Sequence, residues 1–232
     1  MRSSTWCALG NTYVVVERDG AALDAGRVRA LVGAADGVLE VVDATADRVE
    51  VVIWNPDGSQ AELSGNGTRI AAAWLAARTG TRRADVVVGR RTVASTIDED
   101  GTIEQELGAV DVGDPETIAG VTFTPVSVGN PHAVVVGAPE DISAIGPLLE
   151  AHPRFPNRTN VQVARIDGPG EVTARVWERG VGETASSGTS AVAVAAATHG
   201  EGDVVVHFPG GDLRVRLEDG RARLYGTARR VD

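Results

Sequence analysis

Two stretches of this chain recur in the same order about half a chain later, and that repeat restricts the fold more than any single residue does. Residues 10–16 read G-N-T-Y-V-V-V and residues 129–136 read G-N-P-H-A-V-V-V. Residues 64–73 read S-G-N-G-T-R-I-A-A-A and residues 187–196 read S-G-T-S-A-V-A-V-A-A. The first pair is offset by 119 residues and the second by 123. A shared order at nearly one offset marks a duplicated half. A chain of 232 residues has room for two such halves.

Each half repeats one coarse layout. Valine-rich runs between Gly, Asp and Pro predict strands at Tyr13–Glu17, Val38–Val42, Val49–Trp54 and Val86–Val88. In the second half they predict strands at Ala133–Val136, Val161–Ile166, Val172–Trp177, Val204–Phe208 and Leu213–Leu217. One helix follows each Ser-Gly step, over Asn66–Arg78 and Thr189–His199, with Gly80 and Gly200 as stop signals. Both helices are Ala-rich and apolar nearly all round, the pattern of a buried helix. A buried helix wrapped by a mixed sheet, built twice, predicts an α+β protein of two pseudo-symmetric halves with a cleft between them. The halves are expected at 1–112 and 113–232, with a hinge near Gly108–Gly120 and a last strand free to cross back.

Composition excludes several classes. A net charge of -10 and a pI of about 4.9 argue against nucleic acid or an anionic membrane as main partner. All 22 basic residues are Arg, so no Lys can form a pyridoxal-phosphate Schiff base. The one cysteine, Cys7, allows no intramolecular disulfide and leaves no Cys-based zinc site. No cofactor and no metal are expected. The N-terminus does not read as a signal peptide and no apolar run reaches the roughly 20 residues of a membrane span, so a cytoplasmic location is expected.

The Ser-Gly steps direct backbone N–H groups out of a first helical turn, where a carboxylate binds well. Ser64 and Ser187 serve there either as ordinary N-caps or as half of a shared site. Nine residues upstream of each serine lie Asn55, in N-P-D-G-S-Q, and Glu178, in E-R-G-V-G-E. Asn11, Asn55, Asn130 and Asn160 are candidates for ligand binding or for turn formation; Asn157 is read as a turn residue. His132 is a candidate general base near neutral pH, or a structural imidazole. Glu178 and Arg179 form either part of a site or a surface ion pair. His152, His199 and His207 show no ligand spacing and are read as structural.

Taken together, L-G-N (9–11), N-P-D-G-S (55–59), S-G-N-G-T-R (64–69), G-N-P-H (129–132), F-P-N-R-T-N (155–160) and E-R-G-V-G-E-T (178–184) resemble the diaminopimelate epimerase family, in that family's order and over nearly the whole chain. The resemblance implies two similar α+β halves and a cofactor-independent isomerase that inverts an amino-acid α-carbon. In that family a cysteine at each helix start acts, one taking the α-proton and the other delivering a proton to the opposite face. Ser64 and Ser187 stand at those two positions. The resemblance makes Gly65, Asn66, Gly188 and Thr189 carboxylate ligands through their amides. It makes Asn11, Asn55, Asn130, Asn160, Glu178 and Arg179 substrate-binding residues, with Arg179 on a distal carboxylate, and it places His132 beside the reacting centre. It implies diaminopimelate, the LL to meso step of lysine biosynthesis, as substrate. A homodimer is left open.

The two serines set a chemical limit. A thiol has a pKa of about 8.5, whereas an alkyl hydroxyl is close to water at about 15.7. Roughly 7 units, or on the order of 10 kcal/mol, stand against forming the base. Glu178 or His132 could share that work as true bases with serine as relay. The alternatives are another amino-acid epimerase, a one-base isomerase or dehydratase on this scaffold, and a non-catalytic amino-acid-binding protein.

Overall fold

The computed structural model describes residues 2–232. The chain divides into two compact units, Met1–Glu106 with Tyr225–Asp232, and Leu107–Leu224. The division falls at 106/107 rather than at 112/113. The expected hinge at Gly108–Gly120 instead carries short strands, and the last residues return to the first unit.

In the first unit, β1 (Ser3–Ala8) pairs antiparallel with β2 (Asn11–Glu17). A crossover through α1 (Ala25–Val32) sets β3 (Gly37–Ala44) parallel to β2. β4 (Arg48–Trp54) returns antiparallel and is extended by β5 (Gln60–Ala61). A second crossover through α2 (Gly65–Thr79) sets β6 (Arg83–Val88) parallel to β4. β7 (Arg91–Ile97) and β8 (Thr102–Ala109) then continue antiparallel.

After β9 (Asp111–Val112) and β10 (Glu116–Ile118), the second unit repeats this path. β11 (Val121–Ser127) pairs antiparallel with β12 (Pro131–Val136), and α3 (Ile142–Glu150) leads to parallel β13 (Asn160–Gly168). β14 (Glu171–Glu178) returns antiparallel and is extended by β15 (Gly182–Thr184). α4 (Gly188–Thr198) leads to β16 (Gly202–Phe208), parallel to β14, and β17 (Gly211–Glu218) pairs antiparallel with it. β18 (Arg221–Thr227) and β19 (Arg229–Arg230) end the chain, β19 pairing with β1.

The repeat extends to register. Tyr13 sits opposite Gly37 as His132 sits opposite Asn160, and Val38 sits opposite Trp54 as Val161 sits opposite Trp177. These matches make Tyr13 the counterpart of His132, and Asn55 the counterpart of Glu178. Gly37 is required by this packing: a Cβ there would lie 2.5 Å from Tyr13 Cε1 and 2.7 Å from the Trp54 carbonyl.

Each sheet packs an amphipathic helix on one face. In the first unit Val16, Val28, Val32, Val38 and Trp54 form that core. In the second, Phe123, Ala133, Ile142, Leu149, Val161 and Val163 do so. α2 and α4 are different. Every residue from Gly65 to Leu75 and from Gly188 to Ala196 is buried. Alanine and glycine make this possible, because small side chains let strands approach a helix on several sides. Their bounds lie within one residue of the ranges read from sequence.

Candidate active-site residues

In the first unit, Ser64 and Tyr13 meet at the start of α2. Ser64 is the N-cap, in extended conformation, and its Oγ accepts the Gly67 N–H at 3.0 Å. Tyr13, two residues beyond the buried Asn11 on β2, brings its Oη to 3.3 Å from the same Oγ. Asn55 follows β4 and opens a tight turn. Its Nδ2 donates to Ser59 Oγ at 2.9 Å, and its amide donates to the Ser59 carbonyl at 2.8 Å. The turn is closed by Asp57, whose carboxyl accepts from the Ser59 hydroxyl and amide and is held below the usual carboxylate range by them.

Gly65 and Asn66 form the first turn of α2. Asn66 Oδ1 accepts from Arg69 Nη2, one helical turn on. Arg69 is fully buried, and its Nε and Nη1 have no hydrogen-bond partner. Burial pushes its guanidinium down to about 9. A cation with so little compensation is costly in the interior.

The second-unit residues gather around the start of α4. Ser187 is the N-cap in extended conformation, yet its side chain accepts no capping hydrogen bond. The Ser190 amide, counterpart of the Gly67 amide that Ser64 caps, is therefore not capped by Ser187. Asn130 Nδ2 reaches Thr189 Oγ1 at 3.4 Å, and Asn130 Oδ1 lies 3.0 Å from His132 Nε2. Asn160 Nδ2 donates to the Pro131 carbonyl at 3.0 Å, while its Oδ1 accepts the Arg179 N–H at 3.0 Å. Glu178 Oε1 accepts from Thr184 Oγ1 at 2.6 Å. Ser186 is fully buried.

His132 does not suit the general-base role considered from sequence. It is 1% exposed, and burial, the largest cause, pushes its imidazole down to about 3, with the Arg179 charge adding to the shift. Both ring nitrogens are already engaged, Nε2 with Asn130 and Nδ1 with Gln162 Nε2 at 3.0 Å. A neutral imidazole with so low a proton affinity is a weak base at pH 7.

Three contributors were invisible in the sequence reading. Gln162, in a valine-rich strand, supports His132. Tyr13 approaches Ser64; comparison with His132 across the repeat would have found it. Glu150, the last residue of α3, accepts the Trp177 indole N–H and the Gly180 amide, both at 2.7 Å. It thereby pins the turn that carries Glu178 and Arg179. His152 accepts the Arg154 amide, His199 accepts the Gly170 amide, and His207 lies between Asp212 and Glu171. Among the described residues no three His, Cys, Asp or Glu side chains converge as metal ligands. No helix there is long and apolar enough to cross a membrane.

Solved structures with this fold define its class. A predicted epimerase from Pseudomonas aeruginosa superposes with a TM-score of 0.74 at 18% identity, covering 100% of this chain and 97% of that one. A probable proline racemase from Agrobacterium radiobacter gives 0.74 at 11% identity, covering 99% and 90%. A phenazine biosynthesis protein of the PhzF family from Enterococcus faecalis gives 0.72 at 12%, covering 99% and 96%. The fold is the α+β fold of racemases and epimerases.

Sequence comparison is more specific. Residues 124–231 match the family model for diaminopimelate epimerase. The diaminopimelate epimerase of Desulforudis audaxviator is 35% identical, covering 94% of this chain and 91% of the relative. That of Pelotomaculum thermopropionicum is also 35% identical, covering 81% and 78%. The chain belongs to the diaminopimelate epimerase family and is by class an isomerase of the racemase and epimerase type.

Proposed function

We propose that this chain takes diaminopimelate, or an amino acid with a second carboxylate, as its ligand, and that its reaction class is cofactor-independent inversion at the α-carbon. The observation that carries this reading is the start of α4, where Ser187 caps no amide of the first turn, the kind of helix start that suits an anion. Asn130, Asn160 and Arg179 lie on neighbouring segments of the same unit. Arg179 would pair with the distal carboxylate, and the 35% identical relatives are themselves diaminopimelate epimerases.

Ser64 and Ser187 act in this reading as carboxylate ligands and poor bases, because a hydroxyl holds its proton roughly 7 units more tightly than a thiol. Titration calorimetry with LL- and meso-diaminopimelate, L-lysine and L-alanine tests it. Diaminopimelate is expected to bind at least about tenfold more tightly than L-lysine, which lacks the second carboxylate. Arg179→Met is expected to erase that preference. Equal binding of lysine and diaminopimelate would rule out the distal-carboxylate role.

A second reading, a one-base isomerase, is favoured by one observation. Ser64 Oγ is taken up by an amide and lies near a phenol, whereas Ser187 Oγ is not used as a cap. Proton exchange confined to one enantiomer of the substrate would distinguish it.

A further inference from the structure

Behind the start of α4 lies a buried chain of four polar side chains. Gln162 on β13 is 0% exposed, and its Nε2 lies 2.9 Å from Ser190 Oγ and 3.0 Å from His132 Nδ1. His132 Nε2 lies 3.0 Å from Asn130 Oδ1, and Asn130 Nδ2 lies 3.4 Å from Thr189 Oγ1. Ser190 is 0% exposed, so that end of the chain lies away from bulk solvent.

Hydrogen-bond capacity fixes the direction of this chain. The two hydrogens of the Gln162 amide nitrogen go to Ser190 and to His132 Nδ1, which must then be an acceptor. The single imidazole proton is left on Nε2, where it meets Asn130 Oδ1. The Asn130 oxygen thereby takes one hydrogen bond, which sets the amide's orientation, and its amide nitrogen faces Thr189 with one hydrogen to spare. Running the chain backwards would turn the Gln162 oxygen toward His132 and leave a buried amide nitrogen with two unmet donors. The observed direction leaves only the Gln162 Oε1 acceptor without a partner. Unmet buried donors are the rarer and costlier outcome.

We propose that Gln162 is a positioning residue of this half-site: by donating to His132 Nδ1 it fixes the neutral Nε2–H imidazole, which donates to Asn130 Oδ1 and so presents the Asn130 amide nitrogen to a ligand carboxylate. The inference rests on the reading above in which Asn130 faces the ligand. It adds a specificity. Held this way, Asn130 donates its spare amide hydrogen to a carboxylate oxygen, a bond that an ammonium group, having no lone pair, cannot accept. His132 thus acts through Asn130 and need not touch the ligand.

The test is long-range proton–nitrogen NMR of the 15N-labelled chain at pH 7, with His132 assigned by its loss in His132→Gln. A pyrrole-type Nε2 and a pyridine-type Nδ1 are expected; a pyrrole-type Nδ1 in the native chain overturns the proposal. Gln162→Met is expected to give a mixture of tautomers and roughly tenfold weaker binding of LL-diaminopimelate. Gln162→Glu, whose ionised carboxylate only accepts, is expected to place a proton on Nδ1. A native tautomer in both variants overturns the role of Gln162. A lost tautomer with unchanged affinity overturns the link to Asn130. The expected tautomer in a native chain that binds no diaminopimelate leaves the positioning role standing and removes the diaminopimelate reading instead.

Discussion

At the start of α2, Ser64 Oγ accepts an amide of its own helix and lies near a phenol; at the start of α4, Ser187 occupies the same place in the repeat and caps nothing. The backbone is common to both. Both serines are extended N-caps, with φ -140° and -149°, and both precede a helix buried on all sides. The difference lies in what surrounds them. The first unit uses its serine as a cap and holds a buried Arg69 behind the first turn, whereas the second leaves its first turn uncapped by the serine and builds the Gln162–His132–Asn130 chain beside it. A duplicated fold has kept its geometry while its two helix starts have taken on different polar roles.

The largest expected effect concerns two glutamates that play matching parts. Glu40 accepts from the Trp54 indole, the Leu23 amide and Arg18; Glu150 accepts from the Trp177 indole, the Gly180 amide and Arg158. Replacing either by Leu leaves an indole and an amide donor unmet, and each is expected to cost about 2–4 kcal/mol in urea unfolding. Only Glu150→Leu is expected also to weaken diaminopimelate binding, because Glu150 pins the turn bearing Arg179. Equal ligand affinity in both variants would break the distinction.

His132 should separate from its counterpart Tyr13 in acid. Its ordinary value is 6.5 and its folded value about 3, so as pH falls the unfolded chain takes up the proton first. Stability from the neutral imidazole is therefore fully present above pH 6.5 and is lost on the way down to pH 3, at up to about 1.4 kcal/mol per pH unit. The difference in unfolding free energy between the native chain and His132→Gln, followed from pH 7 to pH 4, is expected to narrow along that slope. A constant difference would mean the imidazole is not held neutral.

The serines themselves give a smaller and sharper contrast. Ser64→Ala removes a cap and is expected to cost about 1 kcal/mol; Ser187→Ala removes none and is expected to cost only a few tenths. The order of ligand affinities should be the reverse, with Ser187→Ala the more damaging. Tyr13→Phe is the smallest change, expected within about 1 kcal/mol in stability.

Much of the frame was legible because buried strands and buried helices write themselves in valine and alanine. All nine strands read from sequence exist, most of them longer by one or two residues. What escaped was amphipathic or exposed. β7 buries only Val93 and Ser95, so its alternation is carried by a serine. α1 buries only Val28 and Val32, and α3 holds Gly146 and Pro147 inside a helical turn. Gly146 is there because a Cβ would come within 2.7 Å of Trp177, a tertiary cause that no local pattern reveals. In the site, Asn130, Asn160, Arg179 and Ser187 were legible as motif residues. Gln162 and Glu150 were not, since each sits in an ordinary strand or helix and gains its part from a partner about 30 residues away.

The most direct measurement of the central claim is α-hydrogen exchange in D2O, followed by NMR on LL- and meso-diaminopimelate. The native chain and a Ser64→Cys/Ser187→Cys variant would be compared at equal concentration. The serines are expected to hold the carboxylate with little exchange, and the double-cysteine form to exchange and epimerise at least about a hundredfold faster, as the difference of roughly 7 units between thiol and hydroxyl implies. Turnover by the native serine chain at roughly 1 per second or more would contradict the claim and require a different base.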